Sequence, residues 1–315
     1  MESLRGLKSR LGAVSNIRQI TKAMEMVAAT KMRRSQEIAI RSRPYAWKAL
    51  ELLEKMAERG GAALPLAHGR EVKSTLVVVV AADRGLAGSF NAQVFRAADA
   101  LLANDPYSAD PNHIFSFASV GKRAEGYIAK KKLALAEKFY GFGDFVRPEE
   151  VEGLARFMID GFKNGGWDRV IAISTNFRTA LKQDVVRRQI LPVDFEKIKE
   201  VAIELIPEYG RYADLSEGNR APASPKKRKK AHYIFEPSAA EVLDELVPHL
   251  VKMQIYHLVL ESNASEHSAR RVAMKNASDS ADELKDGLTL EYNKVRQSSI
   301  TGEMIEIAAT QNAIT

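Results

Sequence analysis

Apolar residues at the start of the chain recur at steps of three and four: Leu4, Leu7, Leu11, Val14, Ile17, Ile20, Met24 and Val27. That spacing predicts one stripe of a helix. No glycine interrupts it between Gly12 and Gly60. The helix is expected from residue 2 to about 59, with a kink or break at Pro44 and a stop at Gly60-Gly61. The two successive steps of three through Val14, Ile17 and Ile20 form a stammer, which locally overwinds a coiled coil. From Ser74 the pattern changes. STLVVVVAA is β-branched, of strand length and without polar alternation, as in a strand buried on both faces. Helices are then expected over 91–103, 121–132 and 148–163, and strands over 114–119 and 169–174. This alternation predicts an α/β domain with a largely parallel sheet. Residues 185–191 alternate more and are expected at a sheet edge, antiparallel.

A polar segment rich in Pro, Ser and Gly at 207–231 predicts a linker, and HYIFE at 232–236 a short strand returning to the sheet. Ser238 is placed to cap a final helix, with Glu241 completing a capping box. After Pro248, where a bend is expected, there is no further proline, and the only glycines are Gly287 and Gly302. Helices in globular proteins average about 10–14 residues. This one reads on to about residue 310, roughly 110 Å at the α-helical rise. A helix of that length pairs with another or projects. The expected architecture is a central Rossmann-like α/β domain plus a long antiparallel coiled coil of the N- and C-terminal helices. The expected division is 1–60 for the N-terminal coiled-coil helix, 70–206 for the α/β domain, 207–231 for a flexible basic linker, and 232–315 for the return strand and C-terminal helix. Ala269, Ala273, Ala277 and Ala281 are expected to form a small-residue ridge for close helix contact. The longer C-terminal helix is expected to protrude, ending in apolar Ile300, Met304, Ile305 and Ile307 above a polar cluster at 292–301. An apolar end on a single helix predicts an apolar sleeve supplied by other chains.

Composition narrows the function. The chain has 315 residues, 45% of them apolar and 28% charged, which suits a folded protein. It has no cysteine, so disulfides, zinc–thiolate sites and thiol chemistry are excluded. No apolar run is long enough to span a membrane, and no signal-peptide core is read at the start. The net charge is +7, and residues 1–43 alone carry ten Lys/Arg against three Glu. That balance favours an acidic partner surface, nucleic acid or an anionic membrane face. PKKRKK at 225–230 keeps a basic coiled-coil nucleic-acid binder open as an alternative, against the plainer reading of a basic surface loop. The turn at 83–89 follows a buried strand and suggests a nucleotide-dependent enzyme. It has neither G-x-G-x-x-G nor a P-loop, so it reads as a strand-to-helix connection or, with Arg84, a contact loop. His249 and His257 stand eight residues apart, too far to share a metal. Glu261, Glu266 and Asp279 have no placed catalytic partner. No catalytic, cofactor-binding or metal-ligating residue is expected.

Five segments carry a resemblance: ITKAMEMVAATKMRRSQ (20–36), DRGLAGSFN (83–91), YIFEPS (233–238), SEHSARRVAMKNASDSADEL (265–284) and LEYNKVRQSSITGEMIEI (290–307). In this order, and over essentially the whole chain, the sequence resembles the gamma subunit family of F-type ATP synthases. The resemblance implies a non-catalytic rotor shaft without cofactors, present in one copy per complex. Its coiled coil would stand inside a hexamer of alternating alpha and beta subunits. Its α/β body would bind the epsilon subunit and the membrane c-ring, so that ion flow turns the shaft. By motif, Arg296, Gln297 and Thr301 correspond to positions that engage a catch loop of the beta subunit, and Met24 and Arg84 to positions near an acidic beta-subunit lever. Ile300, Met304, Ile305 and Ile307 would form the apolar pivot. The implied location is peripheral, on the cytoplasmic face of a bacterial inner or plasma membrane, with no nucleic-acid partner. The chain departs from the family in having Ala87 where many members have Cys and in lacking the chloroplast regulatory cysteine pair. Its 207–231 segment is also longer than a minimal member needs.

Overall fold

The computed structural model describes residues 3–57, 66–67, 69–179, 182–193, 236 and 238–314. The expected helix stop at Gly60-Gly61, the 207–231 linker with its PKKRKK run, and the strand at 232–235 lie outside the described residues. Two long helices bracket the chain: α1, Leu4–Ala57, and α5, Ala239–Ile314, of 54 and 76 residues. Between them come β1 (Ser74–Val80), α2 (Phe90–Asn104), β2 (Ile114–Val120), α3 (Lys122–Lys131), β3 (Leu135–Phe139), α4 (Glu152–Lys163), β4 (Arg169–Phe177) and β5 (Gln183–Leu191). The chain divides into two compact units, Met1–Ala29 with Arg270–Thr315, and Thr30–Ala269.

The α/β unit is built on a five-stranded sheet in the order β3-β2-β1-β4-β5. Its pairs are parallel except β4–β5, which is antiparallel at the edge. The valine run of β1 shows why. Successive side chains point to opposite faces, and all of Leu76 to Val80 are buried. Leu76, Val78 and Val80 pack with Leu154, Met158 and Phe162 of α4 and with Val251, Ile255 and Leu258 of α5. Val77 and Val79 pack on the other face with Val94 and Leu101 of α2 and Ile128 of α3. A strand covered on both sides needs no polar alternation. β3 was not expected from the sequence. Leu135 to Lys138 are all exposed, so no burial pattern marked it.

Asp168 ties the start of β1 to the start of β4. Its carboxylate accepts from the Lys73 and Ser74 backbone N–H groups, both at 3.0 Å, and from Ser74 Oγ at 3.1 Å. It also pairs with Arg70, which donates to the Phe162 and Trp167 carbonyls. Burial opposes its ionised form, but the Lys73 amide, the Arg70 guanidinium and Ser74 together hold its pKa below the ordinary carboxylate value. A depressed folded value means the unfolded chain binds more protons. The stabilisation is therefore complete above about pH 4 and is lost as pH falls below that toward the folded value. Asp168→Asn is expected to flatten the acid limb of a stability-versus-pH curve. An identical limb would remove Asp168 from that role.

Gly161 of α4 lies against an indole ring. A Cβ there would stand 1.9 Å from Trp167 Cζ2. Trp167 Nε1–H donates to the Met158 carbonyl at 2.9 Å, and the ring leans on Phe157, so it is held in place. Gly161→Ala is expected to cost about 1–3 kcal/mol by overpacking, read as a lowered thermal midpoint. An unchanged midpoint would show that the ring yields freely.

In the helical unit, α1 and α5 pair antiparallel. Their buried seams differ from the apolar stripe expected. On α1 the covered positions are Leu4, Leu7, Leu11, Val14, Arg18, Thr21, Glu25 and Ala28. The steps alternate three and four without a stammer, as in an uninterrupted heptad. Ile17, Ile20 and Val27 point outward instead, 52%, 60% and 53% exposed. Polar residues hold three of these seam positions. Thr21 Oγ1 donates to the Ile17 and Arg18 carbonyls at 3.0 Å, Arg18 pairs with Asp282 of α5, and Glu25 accepts from Lys22 at 2.9 Å. On α5 the covered positions are Met274, Ser278, Ala281, Lys285, Leu288, Tyr292, Val295 and Ser299. Of the expected alanine ridge, Ala281 is buried in this seam, and Ala269, Ala273 and Ala277 are half-covered. α1 is helical through Pro44, and α5 through Pro248 and Gly302. Neither helix is broken at these positions. No described helix is long and apolar enough to cross a membrane.

Candidate functional site

The strand order puts a topological switch point between β1 and β4, where doubly wound folds bind ligands outside the carboxyl ends of the strands. In this chain α5 closes on that place. Ala269 packs against Ala82, Ala87 and Phe90, which surround the turn after β1. Ser265 Oγ donates to the Thr175 carbonyl near the end of β4 at 3.5 Å, and Gln183 Nε2 donates to Ser268 Oγ at 3.2 Å. Ala264, Ser265 and Ser268 are buried. Their small side chains let the helix approach the strand ends. Below them, Arg188 of β5 and Glu261 of α5 form a buried ion pair at 3.6 Å. The crevice that would receive a nucleotide thus seats part of the long helix.

The turn itself is fixed by its own polar groups. Asp83 Oδ1 accepts the Lys122 backbone N–H and Asn91 Oδ1 accepts that of Ala82, both at 3.0 Å. Leu86 has φ +62°, a left-handed conformation that costs a non-glycine residue free energy, yet its side chain is 63% exposed. Arg84 is exposed beside it. Ala87, where a cysteine would be frequent in the resembled family, is 2% exposed and fills the space under Ala269.

Met24 belongs to the helical unit and Arg84 to the α/β unit. Met24 is half-buried beside the seam. The other candidate positions gather on the end of α5. Arg296, Ile300 and Met304 follow at steps of four, as do Gln297, Thr301 and Ile305, with Ile307 one further turn on. These are two adjacent rows on one side of a helix. Every residue from 300 to 308 is exposed. Counted from the Arg18–Asp282 pair, the first turn of α1 meets α5 near Val295, so the last turns of α5 have no partner helix among the described residues. Ile300, Met304, Ile305 and Ile307 are 46–69% exposed. Thr301 Oγ1 donates to the Gln297 carbonyl at 2.9 Å, which leaves its hydroxyl oxygen to accept from outside.

Sequence reasoning missed the outward face of α1. Ile17, Ile20, Met26 and Val27 are all more than half exposed. The available signal was the unbroken three-four step through Arg18, Thr21 and Glu25, which the apolar residues alone conceal. Among the described residues, no three His, Asp or Glu side chains are grouped so as to hold a metal ion.

A family model described as ATP synthase matches residues 3–314. The ATP synthase gamma chain of Opitutus terrae is 38% identical over 314 residues, covering 99% of each chain. Those of Roseiflexus castenholzii and Salinibacter ruber are 36% and 34% identical, covering 100% of this chain and 99% of the relative. The chain belongs to the ATP synthase gamma chain family. Solved structures agree on the fold of this gamma chain. A chain of the Euglena gracilis mitochondrial ATP synthase OSCP/F1/c-ring structure superposes with a TM-score of 0.63 at 18% identity, over 99% of this chain and 94% of that one. A chain of the Tetrahymena thermophila mitochondrial ATP synthase central stalk/c-ring structure gives 0.55 at 23% identity, over 82% and 99%.

Proposed function

We propose that the chain is the central-stalk rotor of an F-type ATP synthase and couples ion-driven rotation of a c-ring to ATP synthesis and hydrolysis in an alpha–beta hexamer. The observation that carries this reading is the bare apolar surface of the helical unit. Ile300, Met304, Ile305 and Ile307 at the tip, with Ile17, Ile20 and Val27 along α1, are exposed in the isolated chain. Folded chains rarely present such surface to water, and an enclosing partner removes the cost. A sleeve of alpha and beta subunits around the shaft is the fitting occupant.

The finer assignments follow from that reading. The chain is the non-catalytic member of its complex, in keeping with the switch-point crevice being filled by α5. Arg296, Gln297 and Thr301 contact a catch loop of the beta subunit, with Arg296 donating a planar fork of N–H groups to carboxylate or carbonyl acceptors. Met24 and Arg84 meet an acidic beta-subunit lever. Ile300, Met304, Ile305 and Ile307 turn inside the sleeve as a pivot. The N-terminal helix within 1–60 and the C-terminal helix within 232–315 make the shaft, and the α/β domain within 70–206 makes the body. The body carries the epsilon subunit and rests on the c-ring. One copy serves each complex, at the cytoplasmic face of a bacterial plasma membrane.

The test is co-purification. A tagged chain co-expressed with alpha and beta subunits is expected to bring both down with magnesium-dependent ATPase activity that the isolated chain lacks. ATP hydrolysis by the isolated chain, or failure to capture alpha and beta, would overturn the assignment.

A further inference from the structure

Residues 143–146, between β3 and α4, touch both long helices at once. Asp144 directs one carboxylate oxygen to each: Oδ2 lies 2.5 Å from Lys31 Nζ of α1, and Oδ1 lies 3.0 Å from His267 Nε2 of α5. Its backbone carbonyl accepts from Ser35 Oγ at 3.1 Å, and Ser35 is fully buried. The neighbouring Gly143 carbonyl accepts from Asn263 Nδ2 at 3.0 Å. The Phe145 ring lies 4.3 Å from the Arg34 guanidinium carbon. Val146 anchors the segment in the core, 1% exposed. Lys31, Arg34 and Ser35 share one turn of α1, while Asn263 and His267 stand one turn apart on α5. These are the last turns of both helices inside the α/β unit, which runs from Thr30 to Ala269. None of the five segments that carry the family resemblance includes this loop.

We propose that residues 143–146 are the collar by which the α/β unit holds both long helices against twisting, with Asp144 as its pin and a positioning residue for coupling. This role rests on the rotor reading. A rotor passes torque only if its body resists rotation and sliding of the helices it carries. Apolar burial is non-directional. Hydrogen bonds weaken steeply once misaligned, and those to ionised groups are roughly twice as strong as neutral ones. A carboxylate bonded to two helices by separate oxygens ties the angle of each to the same loop. A single-helix contact would leave the other free to slip.

The experiment uses the complex with alpha and beta subunits. The hexamer is fixed to a surface and a bead is attached to the body through Lys130→Cys, an exposed site in a chain with no native cysteine. The angular variance of the bead at a stalled position is inversely proportional to torsional stiffness. Asp144→Asn removes the charge shared by Lys31 and His267 and is expected to raise that variance about 1.5-fold, because the strongest of the directional ties are lost. Lys31→Met and His267→Gln each cut one arm and are expected to give smaller rises. If Asp144→Asn does not assemble, these two variants decide by the same criterion. Unchanged variance in a complex that rotates normally would overturn the collar while leaving the rotor reading intact. Absence of rotation in the complex carrying only Lys130→Cys would overturn both.

Discussion

Replacing Gly121 with alanine is expected to remove a large part of the stability of the α/β unit. Gly121 joins β2 to α3 with φ +90°, a conformation that side-chain-bearing residues adopt only under strain. An added Cβ would lie 2.1 Å from the Ala81 carbonyl oxygen and 3.2 Å from the Ala82 carbonyl carbon. Both are backbone atoms, and neither can swing away. Ala81 N–H donates to the Val120 carbonyl at 2.9 Å, the Ala82 carbonyl accepts from Arg123 N–H at 3.1 Å, and Gly121 N–H donates to the Phe139 carbonyl at 2.9 Å. The close approach is therefore held from three sides. The strained dihedral costs about 1–3 kcal/mol, and overpacking about as much again. Their sum is a large part of a domain stability of about 5–15 kcal/mol. Urea unfolding of the two chains measures it. Gly126→Ala in α3 is the control, because its Cβ would meet nothing within 4 Å. That change is expected to be neutral or stabilising by up to about 1 kcal/mol. A Gly121→Ala chain as stable as the control would refute the steric argument.

Arg296→Ala carries the second large effect, and it is expected in the assembled complex alone. Arg296 is exposed on α5. Surface substitutions of this kind change stability by no more than about 0.5 kcal/mol, so the isolated chain should melt as before. In the complex, truncating one partner of a desolvated, hydrogen-bonded charged contact costs about 2–5 kcal/mol. Because about 1.4 kcal/mol corresponds to a factor of ten, assembly or coupled synthesis should weaken on the order of 30-fold or more. Arg296→Lys keeps the charge and loses the planar fork, and should fall in between. Lys294→Ala removes a neighbouring exposed charge from the other side of the helix and should change little. ATP synthesis by membrane vesicles carrying each variant measures this. Equal rates for Arg296→Ala and Lys294→Ala would refute the catch assignment.

The sheet was legible because the unbroken run Leu76 to Val80 admits few readings other than a strand covered on both faces. The long helices were legible from the scarcity of glycine and proline. Capping at Ser238 was legible too: Glu241 N–H donates to Ser238 Oγ at 3.2 Å, and Ser238 Oγ donates back to Glu241 Oε1 at 2.8 Å. β3 was not legible, since its side chains face water and an edge strand draws its stability from backbone pairing with β2. The tip was readable as apolar, and the family resemblance named its polar neighbours. The side of the helix they share follows from helical geometry alone.

The α1 seam marks the limit of one-dimensional reading. Hydrophobicity alone selects Ile17, Ile20 and Val27, yet Arg18, Thr21 and Ala28 face the partner helix. The sequence by itself determined the two long helices, the buried central strand and the strand–helix alternation around it, because these depend on local periodicity and on where helices can stop. The tertiary structure alone decided which face of α1 pairs, that α5 fills the switch-point crevice through Ser265, Ser268 and Ala269, and that Asp144 bonds Lys31 and His267 together. Each of these depends on whether a polar group finds a partner distant in sequence, and on whether small side chains let two elements close. The local pattern of a chain encodes neither.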